Sequence, residues 1–160
     1  LRSALEKLGR GRSLFSGEKI QRDEKSINEI VSAMSSLSRQ KIGALVVIER
    51  EVGLSDIIES GTRLDSDISS ELLINIFIPN TPLHDGAVIV RKNAIAAAAC
   101  YLPLSTSNTI SKELGTRHRA AIGISEKSDC LVIVVSEETG NISVAENGKI
   151  NRYFDEESLK

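Results

Sequence analysis

The sequence predicts a single α/β domain in which a central mixed β-sheet is flanked by helices on both faces. Three observations predict it. Between Arg22 and Arg39 the apolar residues Ile27, Ile30, Val31, Met34 and Leu37 recur at intervals of three and four, which gives a helix one buried stripe. Ala44–Ile48 and Leu131–Val135 are short apolar runs without alternation, the pattern of strands covered on both faces. Short polar turns, above all Asn147-Gly148, join further β-rich runs into hairpins. A chain of 160 residues, 41% of them hydrophobic, holds core material for one such domain and is too apolar for a disordered tail.

Taken in order, Leu1–Leu8 reads as a short helix stopped by Gly9 and Gly11, and Ser13–Gly17 as a loop. The amphipathic helix Arg22–Arg39 and the strand Ala44–Ile48 follow. A second helix is expected over Ser69–Ile76, with Ser69 or Ser70 as its cap, and Pro79 and Pro82 then enforce a stiff loop. Ala87–Val90 and Ile95–Tyr101 read as hairpin partners joined through Arg91-Lys92-Asn93. Beyond Pro103 and a Ser/Thr/Asn loop, Ser111–Ser125 is helical in part. Leu131–Val135, Ile142–Ala145 and Lys149–Tyr153 complete the strands, and Asp155–Lys160 reads as the start of a helix.

Composition excludes several function classes. Lys and Arg total 20 against 22 Asp and Glu, a formal net charge of −2, so no broad basic face for nucleic acid is expected. Aromatics make up 3%, with no Trp, which leaves no stacking platform for single strands. Cys100 and Cys130 lie in apolar stretches, the profile of reduced, buried thiols. No apolar run approaches the roughly 20 residues needed to span a bilayer. The first dozen residues carry Arg2, Lys7, Arg10 and Arg12 against Glu6 alone, and the first residue is not Met. Such a patch suits either the cytoplasmic flank of an upstream membrane helix or an ordinary solvated helix.

Chemistry is concentrated in three polar segments at the ends of apolar elements, where open α/β sheets usually place ligands. In Pro82-Leu83-His84-Asp85-Gly86-Ala87, Asp85 can accept a hydrogen bond from a ribose hydroxyl, and Gly86 lets a ligand approach the backbone. Alone, the Asp-Gly pair reads first as a plain turn. The His84-Asp85 pair resembles that of metal phosphohydrolases, but only His118 remains to supply a further histidine ligand. In Gly115-Thr116-Arg117-His118-Arg119, Thr116 is placed to open a helix whose free amides form an anion site that Arg117 completes, although alone the Arg-His-Arg run reads first as a solvated surface. Residues two apart do not share a helix face, so Arg117 and Arg119 are not expected on one phosphate. In Ser136-Glu137-Glu138-Thr139-Gly140 the paired acids supply hard oxygen ligands for a divalent cation, or simply a polar turn.

The co-occurrence of the three segments decides among these readings. Asp85-Gly86-Ala87 and Gly115-Thr116-Arg117-His118-Arg119-Ala120-Ala121, within the stretches Glu71–Val90 and Ser111–Gly140, resemble the bacterial diadenylate cyclase (DAC) domain of the membrane-anchored type. The resemblance also reaches Leu1–Arg12. It implies a DAC-like fold over residues 1–160, with 1–17 as a juxtamembrane helix and linker and transmembrane helices upstream. It further implies condensation of two ATP into cyclic di-3′,5′-AMP. By the same resemblance, Asp85 contacts the ribose 3′-hydroxyl, Gly86 and Ala87 shape the pocket floor, and Leu102 borders adenine. Thr116, Arg117 and His118 bind phosphate with Ser136 close by, and His84 and Glu138 hold a divalent cation, Mg²⁺ or Mn²⁺. The implied partners are ATP and a second copy of the chain in a face-to-face dimer, with no nucleic acid and a membrane met only through the upstream segment. The competing expectation is a non-catalytic adenine-nucleotide sensor that uses the same pocket without pairing two sites.

Overall fold

A computed structural model of the protein describes residues 17–102 and 116–153. The expected helices Leu1–Leu8 and Asp155–Lys160, and residues 13–16 and 103–115 of the expected loops and helix, lie outside them. Helices α1 (Gly17–Arg39), α2 (Ser55–Glu59), α3 (Ser70–Phe77) and α4 (Thr116–Lys127) alternate irregularly with seven strands. The strands are β1 (Ala44–Ile48), β2 (Thr62–Asp67), β3 (Ala87–Arg91), β4 (Ala94–Cys100), β5 (Leu131–Val135), β6 (Ile142–Glu146) and β7 (Lys149–Tyr153). They form one sheet in the order β2-β4-β3-β1-β5-β6-β7. β1 and β3 are parallel, and every other pairing is antiparallel, so the sheet is mixed as the sequence predicts.

The central strands are buried on both faces, which is why their sequences do not alternate. On one face Ile30, Met34 and Leu37 of α1 and Leu73 and Phe77 of α3 pack against Val46, Val88, Ile133 and Val135. On the other, Leu54, Ile58 and α4 residues Ala121 and Ile124 cover Leu45, Val47, Ile89, Val132 and Val134. Side chains one residue apart along β1, β3 and β5 thus feed opposite cores, as the strand period of two requires.

Local chemistry sets the boundaries. Ser69 caps α3 by accepting a hydrogen bond from the Leu72 amide at 3.1 Å. Lys92-Asn93 and Asn147-Gly148 each place two consecutive residues at positive φ, the turn that matches the twist of a two-residue hairpin. α1 begins at Gly17, not Arg22, because Glu18, Lys19, Gln21 and Arg22 are good helix formers that extend it beyond its buried stripe.

Two elements have no forewarning in the sequence. α2 is five residues long with no side-chain cap, and the Leu54 amide at its start donates to Glu49 at 2.8 Å. Glu49 also receives Nε and Nη2 of Arg91, so one carboxylate ties α2 to the ends of β1 and β3. β2 is an edge strand paired to β4 alone, and its register slips between Arg63 and Ser66, with Asp65 at φ 47°. Among the described residues no helix is long and apolar enough to cross a membrane.

Candidate active site

A cavity of about 570 Å³ opens where five separate segments of chain converge on one edge of the sheet. Its polar rim takes Asp85 and Gly86 from the loop before β3, Arg117 and His118 from the first turn of α4, and Ser136, Glu137 and Glu138 from the turn after β5. Its apolar wall is made by Leu45, Cys100, Leu102, Ala120 and Val135, with Tyr101 at the lip. The polar segments lie at strand ends as expected, and β4 and β5 present their carboxyl ends to the cavity. β1 and β3 present their amino ends, because the mixed sheet runs them against β4 and β5.

Each polar group is aimed by its element. Asp85 is exposed on a loop that Thr81 braces through its hydroxyl, 2.7 Å from the Ile78 carbonyl. Gly86 follows at φ +115°, with Ala99 and Cys100 of β4 packed so closely that a Cβ would stand 2.8 Å from Ala99 C and from the Cys100 carbonyl oxygen. Gly86 is therefore required twice, by conformation and by space. α4 has no acidic residue in its first turn, so the positive end of its dipole and Arg117 act at the same place. Arg117 Nη1 lies 3.6 Å from Glu137 Oε2, and the glutamate is 67% exposed. Such a solvated pair is weak, and a phosphate group can displace it. Arg119 is exposed and lies off the pocket lining, as its two-residue offset from Arg117 requires. Ser136 Oγ accepts from the Glu138 and Thr139 amides at 3.3 Å each, which folds the acidic turn back toward the cavity.

Seven of the residues singled out from sequence meet in this one pocket: Asp85, Gly86, Leu102, Arg117, His118, Ser136 and Glu138. Thr116 is the first residue of α4. Two do not line the pocket. Ala87 is fully buried behind the floor, in the core beneath α4. His84 turns its Nδ1 to the Thr81 carbonyl at 2.7 Å. Sequence reasoning did not assign Leu45, Cys100, Ala120, Val135 or Tyr101 to the site, while Glu137, one of the paired acids it singled out, lines the pocket beside Glu138. The first four are core residues by type, and only the sheet edge exposes them to the cavity. Tyr101, 80% exposed at the end of an apolar strand, carried a readable signal, because a large aromatic with no core to enter stands ready to stack.

Among the described residues no group of three or more His, Cys, Asp or Glu is placed to hold a metal unaided. A cation that arrives on a triphosphate asks for only one or two carboxylates, and the pocket offers Asp85, Glu137 and Glu138. The donor set fits a shared cation, not a caged one.

Both cysteines are free and buried. Burial pushes the Cys100 thiol up from its ordinary 9.0 to about 11, and burial likewise raises that of Cys130. Because the folded chain holds these protons where an unfolded chain releases them, their contribution to stability is complete below about pH 9. It is lost as pH climbs toward 11. At pH 7.5 iodoacetamide is expected to leave both thiols unmodified in the native chain and to alkylate both in denaturant. Rapid native labelling of Cys100, read by mass spectrometry, would contradict its protonated, buried state.

Residues 31–150 match the family described as DAC, DisA bacterial checkpoint controller nucleotide-binding. The chain belongs to this family. DAC relatives match over its whole length. It is 60% identical to the cyclic di-AMP synthase CdaA of Bacillus subtilis, with 100% of this chain covered, and 54% identical to a diadenylate cyclase of Listeria monocytogenes, with 99% covered. The chain spans 59% of the length of each of these two proteins. Among solved structures it superposes on a double mutant of DacA from Staphylococcus aureus with a TM-score of 0.84 at 55% identity, over 87% of this chain and 93% of that one. A Bacillus cereus structure described as a hypothetical membrane spanning protein matches at a TM-score of 0.77 and 52% identity, over 79% of this chain and 62% of that one. The mixed-sheet DAC fold is thereby the fold of this chain.

Proposed function

We propose that this chain is the catalytic domain of a diadenylate cyclase, joining two ATP into cyclic di-3′,5′-AMP with release of two pyrophosphates. The observation that carries the reading is that the Asp85 carboxylate, Arg117 and the amino end of α4 meet in one cavity. An acceptor for a sugar hydroxyl thus shares the cavity with an anion-binding end, as a nucleoside triphosphate demands. The cyclic di-AMP synthase of Bacillus subtilis and the diadenylate cyclase of Listeria monocytogenes, both similar to this chain, support the same activity.

In each half-reaction the 3′-oxygen of one ATP forms a bond to the α-phosphorus of the other, and the bond to the bridging oxygen of pyrophosphate breaks. Positioning and charge neutralisation dominate such transfers. Asp85 orients the attacking hydroxyl and accepts its proton. Arg117, His118 and Thr116 hold the triphosphate with Ser136 beside it, while Gly86, backed by Ala87, leaves the floor low enough for the ribose. Leu102 and Tyr101 take the adenine between an aliphatic and an aromatic surface. Glu138, with Asp85 and Glu137 beside it in the lining, would serve a divalent cation, Mg²⁺ or Mn²⁺, which would supply charge neutralisation at the phosphates when bound, while His84 stays off the lining and braces the loop through Thr81.

A product with two equivalent halves calls for two pockets facing each other across a two-fold axis, so the working unit is a homodimer. The same family likeness supports a membrane anchor upstream of the chain. Incubation with ATP and Mn²⁺ is expected to yield a cyclic dinucleotide by chromatography, with activity per subunit rising with protein concentration until dimers saturate. Unchanged ATP in that assay would identify a nucleotide sensor instead, and release of AMP or phosphate a hydrolase. Activity per subunit that stayed constant over a wide dilution series, without a stable dimer, would overturn the paired mechanism.

A further inference from the structure

Gly43, one residue before β1, is buried, and its φ lies outside the left-handed region, so backbone conformation does not explain a glycine there. Space does. A Cβ at this position would stand 2.5 Å from Nη1 of Arg117, 2.7 Å from its Cζ and 3.1 Å from its Nε, so the guanidinium lies against the bare α-carbon. The same short connection also steadies the turn after β5. Ser38 Oγ donates to the Gly140 carbonyl, and a Cβ on Gly140 would stand 2.5 Å from the Ser38 carbonyl oxygen. The connection is itself fixed, with Lys41 at φ 54° and the Ile42 amide donating to Leu37 at 2.9 Å.

We infer that Gly43 is a positioning residue for phosphate binding: it provides the flat seat that holds the Arg117 guanidinium toward the triphosphate. The inference rests on the reading of Arg117 as a phosphate ligand. A methyl group at 43 fills the seat and displaces the head of the arginine, which is the free end of a flexible side chain, so the backbone need not move. Loss of a charged hydrogen bond to phosphate corresponds to a weakening of about tenfold or more.

The test is calorimetric titration of the 160-residue chain with ATP and with adenosine, for the wild type, Gly43→Ala, Arg117→Ala and the double variant. Expected are about tenfold weaker ATP binding in both single variants, adenosine binding unchanged within about twofold, and no further loss in the double variant. Wild-type ATP affinity in Gly43→Ala beside weakened binding in Arg117→Ala overturns the inference and leaves the phosphate reading intact. Wild-type ATP affinity in Arg117→Ala overturns both. Equal weakening of adenosine, or an added loss in the double variant, shows a general distortion and overturns the positioning role. If Gly43→Ala alone fails to fold, the double variant decides: a folded double, with the seat emptied, upholds the steric argument, and an unfolded one overturns it.

Discussion

Asp85→Asn is expected to bind ATP within about threefold of wild type and to lose product formation by roughly a thousandfold, within the 10²–10⁴ range of positioned proton acceptors. The substitution preserves shape, and Asp85 is exposed on its loop, so neither the core nor the cavity changes. What changes is the capacity to accept a proton. An amide offers a carbonyl to the hydroxyl yet has no site of useful basicity, and its NH2 group can turn the wrong way toward the sugar. Chromatography of cyclic dinucleotide together with titration of ATP separates the two effects. Full activity in this variant would remove Asp85 from the chemistry. Loss of binding in proportion to loss of turnover would make it a ligand of the ground state instead.

Gly86→Ala is expected to act on the fold as well as on the site. At φ +115° a side chain is strained by about 1–3 kcal/mol. The added Cβ also meets β4 backbone at 2.8 Å, where overpacking costs typically ~1–3 kcal/mol more. The neighbouring Ala99 already sits at φ 56° in the irregular register of β3 and β4, so the strand has little freedom to withdraw. A combined loss of about 2–6 kcal/mol lowers Tm by on the order of 10 °C in a domain of this size. A melting curve within a degree of wild type would show that the loop and β4 yield easily.

The reach of sequence reasoning follows the strength of the local physics. β1, β5 and β7 are bounded as expected, because each is an apolar or hairpin-anchored run between unambiguous breakers. The Asn147-Gly148 turn was readable from residue type alone and the α3 cap to within Ser69 or Ser70, while the turn expected over Arg91-Lys92-Asn93 narrows to Lys92-Asn93 because Arg91 stays in β3. α2 was not, since five residues without a capping side chain depend on Glu49 and on Leu54 and Ile58 reaching the core. β2 was not, since Thr-Arg-Leu-Asp-Ser-Asp has the polarity of a loop and is held as a strand by its backbone pairing to β4. In the site, charged and glycine residues announced themselves, whereas Leu45 and Val135 are indistinguishable in sequence from the core residues beside them. Gly43 illustrates the same limit: its reason lies in a side chain 74 positions further along the chain.

The cavity draws its walls from β1, β4, β5, α4 and the approach to β3, segments that are neighbours only once the central strands have assembled. The β3–β4 hairpin with its flanks brings Asp85 and Leu102 together, but Arg117 and Ser136 come from α4 and the end of β5. Ligand occupancy and cooperative unfolding are therefore linked, and free nucleotide at a hundred times its dissociation constant would raise the free energy of unfolding the entire sheet by about 2.7 kcal/mol. Saturation would protect the amides of strands remote from the ligand as firmly as those that touch it.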